Sequence, residues 1–271
     1  MTPLFDLGGR VVVVTGGLGQ LGRQFSAALL AHGARVAILD RARESDASLG
    51  GLVDTANQPR LALLVADVTS RASLEAALRD IERRWETPFG LVNNAALDSR
   101  PDAPIAENGP YEDYPEESFN RVMDVNVKGV HLCCQVFGGA MARAGRGSIV
   151  NVGSVYGLVS PDQALYEFRR EGGEEFFKPI AYSVSKSALY NLTRYLAVYW
   201  GASQVRVNIV TFAGVYNHQD NRFLKRYLPK VPLGRMALES DYNGAIVFFM
   251  SDGSGYMTGS NLVLDGGFTA M

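Results

Sequence analysis

"RVVVVTGGLGQLGRQF", residues Arg10 to Phe25, is the stretch on which the fold turns. Four consecutive valines are apolar and β-branched, and so short a run stopped by glycine reads as a strand buried on both faces. Gly16, Gly17, Gly19 and Gly22 allow tight backbone paths, and "QFSAALLAHG" then has helical spacing ended by Gly33. A strand, a glycine turn and a helix in that order direct the helix's first N–H groups toward one point, a place suited to a diphosphate. Glycine spacing alone specifies little; its position directly after the first strand gives it weight.

The same alternation continues outward. "ARVAILD" is a second apolar strand ending in Asp40, followed by "RLALLVADV", a helix from Ser73 to Trp85, and "FGLVNNAA". Residues 115 to 144 read as one long helix bent near Gly129, followed by the strand "GSIVNVGS". A helix from Ala181 to Trp200 leads to "QVRVNIVTFAG", and "GSNLVLDGG" holds a last short strand. Strands apolar throughout and separated by helices predict an α/β protein: a single-domain, Rossmann-like, doubly wound parallel sheet of seven strands with helices on both faces. No composition break divides residues 1–271. Two segments resist the pattern, 157–180 and 216–236, and connections that long more often form active-site walls, lids or added short helices.

Composition excludes several classes of function. The net charge is -2, from 26 basic and 28 acidic residues, so no strong field favours nucleic acid or an anionic membrane. The two cysteines, Cys133 and Cys134, are adjacent and read as small apolar helix residues. His32, His131 and His218 are scattered and the acidic stretch "YEDYPEESF" reads as a solvated helix start, so no metal site is expected. The N-terminus lacks a charged segment followed by an apolar secretory stretch, and the chain lacks a membrane span, which favours a soluble cytoplasmic protein.

Asp40, ending the second strand, can accept hydrogen bonds from adenosine ribose hydroxyls, and its charge opposes a 2′-phosphate. This favours NAD over NADP, although Arg41 and Arg43 can reach a phosphate if Asp40 turns away. Asp67 and Asn94 follow the third and fourth strands, where ligand contacts collect; either can instead be a helix cap. Tyr182 and Lys186 in "YSVSK" leave one helix face a turn apart. That spacing alone suits a proton-transfer pair or an ordinary tyrosine beside a snorkelling lysine. Ser154 lacks a "GxSxG" surround, so it is not read as an unassisted nucleophile.

Taken in order, "TGGLGQLG", "NNAA", "VMDVNVKG", "NVGSVYG", "YSVSK", "RVNIV", "VPLGR" and "TGSNLVLDGG" resemble the classical short-chain dehydrogenase/reductase (SDR) family, from Arg10 to about Phe268. The resemblance implies a catalytic tetrad of Asn126, Ser154, Tyr182 and Lys186. It places cofactor contacts on Gly16, Gln20, Leu21, Gly22, Asp40, Asp67, Val68, Asn94, Ala95 and Ala96, on Tyr182 and Lys186, and on Gly214, Val215 and Asn217. In such a site Tyr182 gives a proton to a carbonyl oxygen as hydride arrives at carbon, and oxidation reverses both transfers. The Lys186 ammonium, together with the charge of oxidised nicotinamide, should lower the tyrosine pKa. Ser154 orients the substrate oxygen, and in the family the asparagine holds a water linking the lysine to solvent. A homodimer or homotetramer is implied, with helices around 120–140 and 182–200 at an interface.

Several residues depart from the family pattern. Gln20 stands where the glycine loop usually has glycine, and Ala96 where glycine is common. Phe212 and Ala213 replace the usual proline-glycine pair, and Asn217 a common threonine. The interval from Ser154 to Tyr182 is about twice the family's usual length, so 157–180 is read as an inserted substrate-side segment and 216–236 as a substrate-loop region. Within the insertion, Arg169 or Arg170 can bind a carboxylate or phosphate; equally, the segment can be a surface excursion or subunit contact. The enlarged interval, "YGLVSPD" and "GVYNHQ" are similar to dehydrogenases associated with flagellin-glycan and nonulosonic-sugar formation, which implies a polar, hydroxylated substrate. Tyr156, Asn217, His218 and Arg222 are then candidate pocket residues beside Ser154 and Tyr182, with a solvated helix as the alternative for Arg222.

The function expected is interconversion of a secondary alcohol and ketone, with a small polar hydroxylated or carbonyl substrate. The alternatives are a sugar-nucleotide epimerase or dehydratase-like enzyme, and a noncatalytic cofactor-binding regulator.

Overall fold

The computed structural model describes residues 4–42, 58–98 and 105–271. Arg43 therefore lies outside the described residues. Seven strands form one sheet: β1 (Val11–Thr15), β2 (Arg35–Asp40), β3 (Leu61–Val65), β4 (Gly90–Asn93), β5 (Gly147–Ser154), β6 (Val205–Phe212) and β7 (Asn261–Leu264). All neighbours pair in parallel, in the order β3-β2-β1-β4-β5-β6-β7. The chain runs outward from β1 to β3, then returns to place β4 on the other side of β1. That reversal opens a crevice at the strands' carboxyl ends.

The valine run needs two cores because successive side chains leave opposite faces. Val11 and Val13 pack with Leu74, Ile81, Phe137 and Trp200, from the helices that cover one face. Val12 and Val14 pack with Phe25, Leu29, Ile246 and Phe249 on the other. Every residue of β1 and β5 is buried, which accounts for strands without polar alternation.

Local chemistry sets the element ends. The helix expected from Ser73 begins earlier, at Arg71, because the Ser70 hydroxyl accepts from the Ser73 N–H at 3.3 Å and caps its N-terminus. The long helix expected over 115–144 runs from Glu116 to Ala144, but its regular turns are interrupted by π-helical turns at Asp124–Gly129 and Cys134–Gly138. A Cβ on Gly129 would lie 2.9 Å from Val68 Cγ2, so this turn packs closely on the crevice side.

The two segments that resist the alternating pattern pack on each other. In 157–180, a 3-10 turn (Gln163–Tyr166) leads into a short helix (Glu167–Glu171); in 216–236, the helix Asn221–Tyr227 continues into a turn at Leu228–Lys230. Tyr166 meets Phe223 with ring centroids 5.6 Å apart, and Leu165 is buried in a small core with Tyr227, Val231 and Met236. Arg226 faces Glu167 and Glu171 at 3.5 and 3.7 Å, and Lys230 pairs with Asp162 at 2.8 Å.

Phe212, which replaces the family's usual proline, ends β6 buried against Tyr242, with centroids 3.8 Å apart and planes nearly parallel. The Tyr242 hydroxyl donates to the Ala213 carbonyl at 3.1 Å, fixing the chain as it leaves the strand. Phe212→Ala should therefore cost about 3–5 kcal/mol in urea unfolding, and a loss below about 1 kcal/mol would show that this stack contributes little.

Candidate active site

The crevice is organised by Thr15 at the end of β1. Its hydroxyl accepts from the N–H groups of Asn94 and Ala95, each at 3.0 Å, while the Asn94 amide donates to the carbonyls of Thr15 and Gly16 at 3.0 and 3.1 Å. The glycine turn is thus tied to the end of β4. Gly16 has φ +61°, and a Cβ there would lie 2.8 Å from the Ala95 backbone, so the turn excludes other residues.

The helix Gln20–Ala31 follows with Gly19 as its N-cap, no side-chain cap and no acidic residue in its first turn. An uncapped, positively polarised helix end aimed at the crevice fits a diphosphate, and Leu21 and Gly22 lie in that first turn. Gln20 does more than occupy a glycine position. Its amide reaches the Tyr216 carbonyl at 3.2 Å, joining the first helix to the loop after β6.

At the crevice's other end the Asp40 carboxylate accepts from the N–H groups of Leu18 and Ala42, each at 3.1 Å. Asp67 accepts from the Thr69 N–H and hydroxyl at 2.8 and 2.7 Å, with Arg41 4.0 Å away. Burial pushes the Asp67 carboxyl up, but Thr69 and Arg41 outweigh it and hold the group below the usual carboxylate range. Asp40 can accept from a ribose, and the polar groups at both ends of the crevice fit a dinucleotide. Val68 is buried beside Asp67; Ala95 is half-buried, Ala96 exposed.

At the reacting end, β5 delivers Ser154 and the helix Ile180–Trp200 delivers Tyr182 and Lys186. The Ser154 hydroxyl lies near enough to the Tyr182 phenol to favour its ionised form, and it accepts from the Tyr156 N–H at 3.2 Å. Lys186 lies behind the phenol, its Nζ 5.6 Å from the ring centroid and donating to the Val152 carbonyl at 2.7 Å. Asn126, in the first π-helical turn, is buried. Its amide brackets Leu97, accepting from that N–H at 2.7 Å and donating to its carbonyl at 2.8 Å, and it also donates to the Ser185 hydroxyl at 2.9 Å. The fold therefore brings Ser154, Tyr182 and Lys186 together and sets Asn126 against the same helix.

Burial decides the protonation of this group. It pushes the Tyr182 phenol well above its usual value, and the nearby Asp98 charge adds to the rise while the Ser154 bond opposes it. Burial also brings the Lys186 ammonium down to about 8, against the opposing pull of Asp98. The lowering of the tyrosine pKa expected from Lys186 includes the charge of bound oxidised nicotinamide, whereas the rise seen in Tyr182 is that of the chain alone.

The other candidates are placed as follows. Tyr156 is half-buried, and burial and the neighbouring Tyr166 push its phenol well above the usual tyrosine range. Gly214 donates its N–H to the Tyr227 hydroxyl at 3.0 Å, and Val215 pairs with Ala237. Asn217 and His218 are exposed; the Asn217 N–H donates to the Gln219 side chain at 2.7 Å, and His218 has φ +53°. Arg222 pairs with Asp220 at 2.7 Å and lies over Phe168. Arg169 pairs with Glu174, and Arg170 donates to the carbonyls of Phe176 and Gln163, so both arginines are engaged within their own segment.

Two neighbours of Tyr182 escaped the sequence reading. Lys178 holds its Nζ 5.5 Å from the Tyr182 ring centroid and pairs with both Asp98 oxygens at 2.7 and 2.8 Å. Asp98 lies just after "NNAA", and Lys178 just before the helix that carries Tyr182. Those adjacencies were the available signals.

Fold, glycine turn and tetrad geometry together define a dinucleotide-dependent oxidoreductase, and the chain belongs to the short-chain dehydrogenase/reductase family. The family profile described as "Enoyl-(Acyl carrier protein) reductase" matches residues 19–269. Among individual proteins, the chain is 33% identical to 2-(S)-hydroxypropyl-CoM dehydrogenase 3 of Xanthobacter autotrophicus, over 96% of this chain and 97% of that one. It is 31% identical to galactitol 2-dehydrogenase of Rhizobium johnstonii, over 98% and 97%. The crystal structure of a short chain dehydrogenase from Leptospira borgpetersenii with bound NAD+ superposes with a TM-score of 0.84 at 31% identity, covering 99% of this chain and 96% of that one. Among the described residues, no helix is long and apolar enough to cross a membrane.

In the protein without added cofactor, the Tyr182 phenolate should form only above the ordinary tyrosine value of 10.0. The phenolate absorbance lost in Tyr182→Phe during a pH titration measures this, and ionisation below that value would contradict the burial argument.

Proposed function

We propose that this protein interconverts a secondary alcohol and a ketone on a small polar, sugar-like substrate, with Tyr182 as acid and base and NAD preferred over NADP. The observation that carries the reading is the half-buried Tyr182 phenol, with the Ser154 hydroxyl near enough to favour its ionised form and the Lys186 ammonium behind it. The nicotinamide supplies or accepts hydride when bound.

In reduction, the protonated phenol favoured by burial donates to the carbonyl oxygen as that oxygen gains charge. The Ser154 hydroxyl, fixed at the end of β5, orients the same oxygen. In oxidation, Tyr182 takes the alcohol proton, and Lys186 offsets the phenolate charge. Asn126 keeps Leu97 and Ser185 in place on either side of this group; the water link between lysine and solvent that the family resemblance implies belongs to the same proposal. The segment 157–180 forms the substrate-side wall, seated on the helix Asn221–Tyr227. Tyr195, Val198 and Tyr199 on the outer face of the helix Ile180–Trp200 suit a homo-oligomer contact.

Preference for NAD rests on Asp40. Two backbone N–H groups hold its carboxylate at the end of β2, where its charge opposes a 2′-phosphate, while Arg41 leans toward Asp67. The names of the relatives support the substrate class, since one is a dehydrogenase of a hydroxypropyl compound and another of galactitol.

Tyr182→Phe should lower the rate of alcohol-dependent NADH formation by about 10²–10⁴-fold while NAD still binds, as calorimetry measures. Ordinary turnover by the folded variant would remove Tyr182 from the chemistry. Asp40→Ala should raise kcat/KM with NADP relative to NAD by about tenfold or more, and an unchanged ratio would refute the assigned selectivity.

A further inference from the structure

We infer that Tyr190 is a positioning residue for the reaction: its hydroxyl fixes the overhanging end of β5, so that the Ser154 hydroxyl stays aimed at the substrate oxygen beside Tyr182. This rests on the proposed alcohol–ketone reaction and adds a residue outside the tetrad that acts through Ser154.

Ser154 needs such a support because of where the strands end. β4 pairs with β5 only as far as Asn93 and Asn151, whereas β6 follows β5 to Ser154. Val152, Gly153 and Ser154 therefore overhang, with a neighbouring strand on one side only. In that overhang, side chains of the helix Ile180–Trp200 supply donors to the backbone. Lys186 Nζ donates to the Val152 carbonyl at 2.7 Å, and the Tyr190 hydroxyl donates to the Ser154 carbonyl at 3.1 Å.

Tyr190 holds the serine at two points. Its hydroxyl takes the Ser154 carbonyl, and its ring packs on the turn Val155–Gly157 that the Ser154 hydroxyl caps. The packing is close enough that a Cβ on Gly157 would lie 2.8 Å from Tyr190 Cε2. The Tyr190 hydroxyl is in turn fixed to the sheet. It shares a 2.7 Å bond with Thr211, a fully buried residue of β6 that pairs with Gly153 and donates to the Asn261 side chain of β7 at 2.6 Å. One phenol proton divided between the Ser154 carbonyl and Thr211 thus ties the serine to two further strands. A hydroxyl that orients an oxygen gaining charge must be held to about 0.5 Å, since a misplacement of about 1 Å can cost about 100-fold in rate. Tyr190 exchanges no proton with the substrate; its effect passes through the backbone of Ser154.

Tyr190→Phe keeps the ring against Gly157 and removes the hydroxyl alone. With galactitol or threitol and saturating NAD it should lower kcat about tenfold while KM for the polyol changes less than about twofold, with thermal unfolding confirming that the variant is folded. Added to Ser154→Ala, the same substitution should lower kcat by less than about twofold, because the hydroxyl it positions is already gone. Thr211→Val, which releases the Tyr190 hydroxyl from β6 and leaves its ring in place, should show the same dependence on Ser154 and serves if Tyr190→Phe does not fold. In crystals of Tyr190→Phe with NAD, the Ser154 Oγ should lie about 0.5 Å or more from its place in the unmutated protein. Losses of equal size with and without the Ser154 hydroxyl, an unchanged kcat in folded Tyr190→Phe, or an unmoved Ser154 Oγ overturns the inference. Failure of the proposed reaction shows separately, as absence of polyol-dependent NADH formation by the unmutated protein, and the position of the Ser154 Oγ then decides alone.

Discussion

Parallel strands buried on both faces leave little room for polar chemistry except where the strands end. Valine and isoleucine occupy both faces of β1, β5 and β6, so polar side chains must collect at the carboxyl edge or be satisfied inside. The order reversal between β1 and β4 widens that edge into a crevice, and the glycine turn, Asp40, Asp67, Ser154 and the loop after β6 all lie along it. The site follows from the sheet's topology.

Polar groups that do enter the interior are joined in chains. The Asn93 amide donates to Asn151 at 2.8 Å, and Asn151 donates to Thr193 at 2.9 Å, linking β4 and β5 to the helix that carries Tyr182. The single phenol proton of Tyr190 on that helix is shared between the Ser154 carbonyl at 3.1 Å and the Thr211 hydroxyl at 2.7 Å, while Thr211 donates to Asn261 at 2.6 Å. Leaving such a buried group without a partner costs about 1–3 kcal/mol, so these links fix the helix position as well as satisfying individual atoms. They lock the backbone of Ser154 and the helix beneath Tyr182 to adjacent strands.

Much of this was legible in the residues. Valine-rich runs and the glycines after β1 specify a covered parallel sheet, and ordered motifs bring Ser154, Tyr182 and Lys186 into one site. Other features lack a local sign. The π-helical turn at Asn126 and the closing of that amide around Leu97 leave no short-range periodicity to read. The role of Gln20 depends on a loop far away in sequence. Arg169, Arg170 and Arg222 look available as single cations, yet Asp220 engages Arg222, Glu174 engages Arg169, and the Gln163 and Phe176 carbonyls engage Arg170. Conversely, Lys178 lies within an acidic interval and becomes notable only once Asp98 and Tyr182 surround it. Backbone pattern carries the architecture, whereas the polar detail of the opening arises from contacts between segments.

Residues 157–180 and 216–236 meet through Tyr166 on Phe223, Arg226 between two glutamates, and Lys230 on Asp162. Neither surface is complete without the other. Evolutionary drift in one segment is therefore tolerated chiefly when its counterpart changes to match, and the two stretches should diversify across descendants as a covarying unit while the sheet beneath them stays the same.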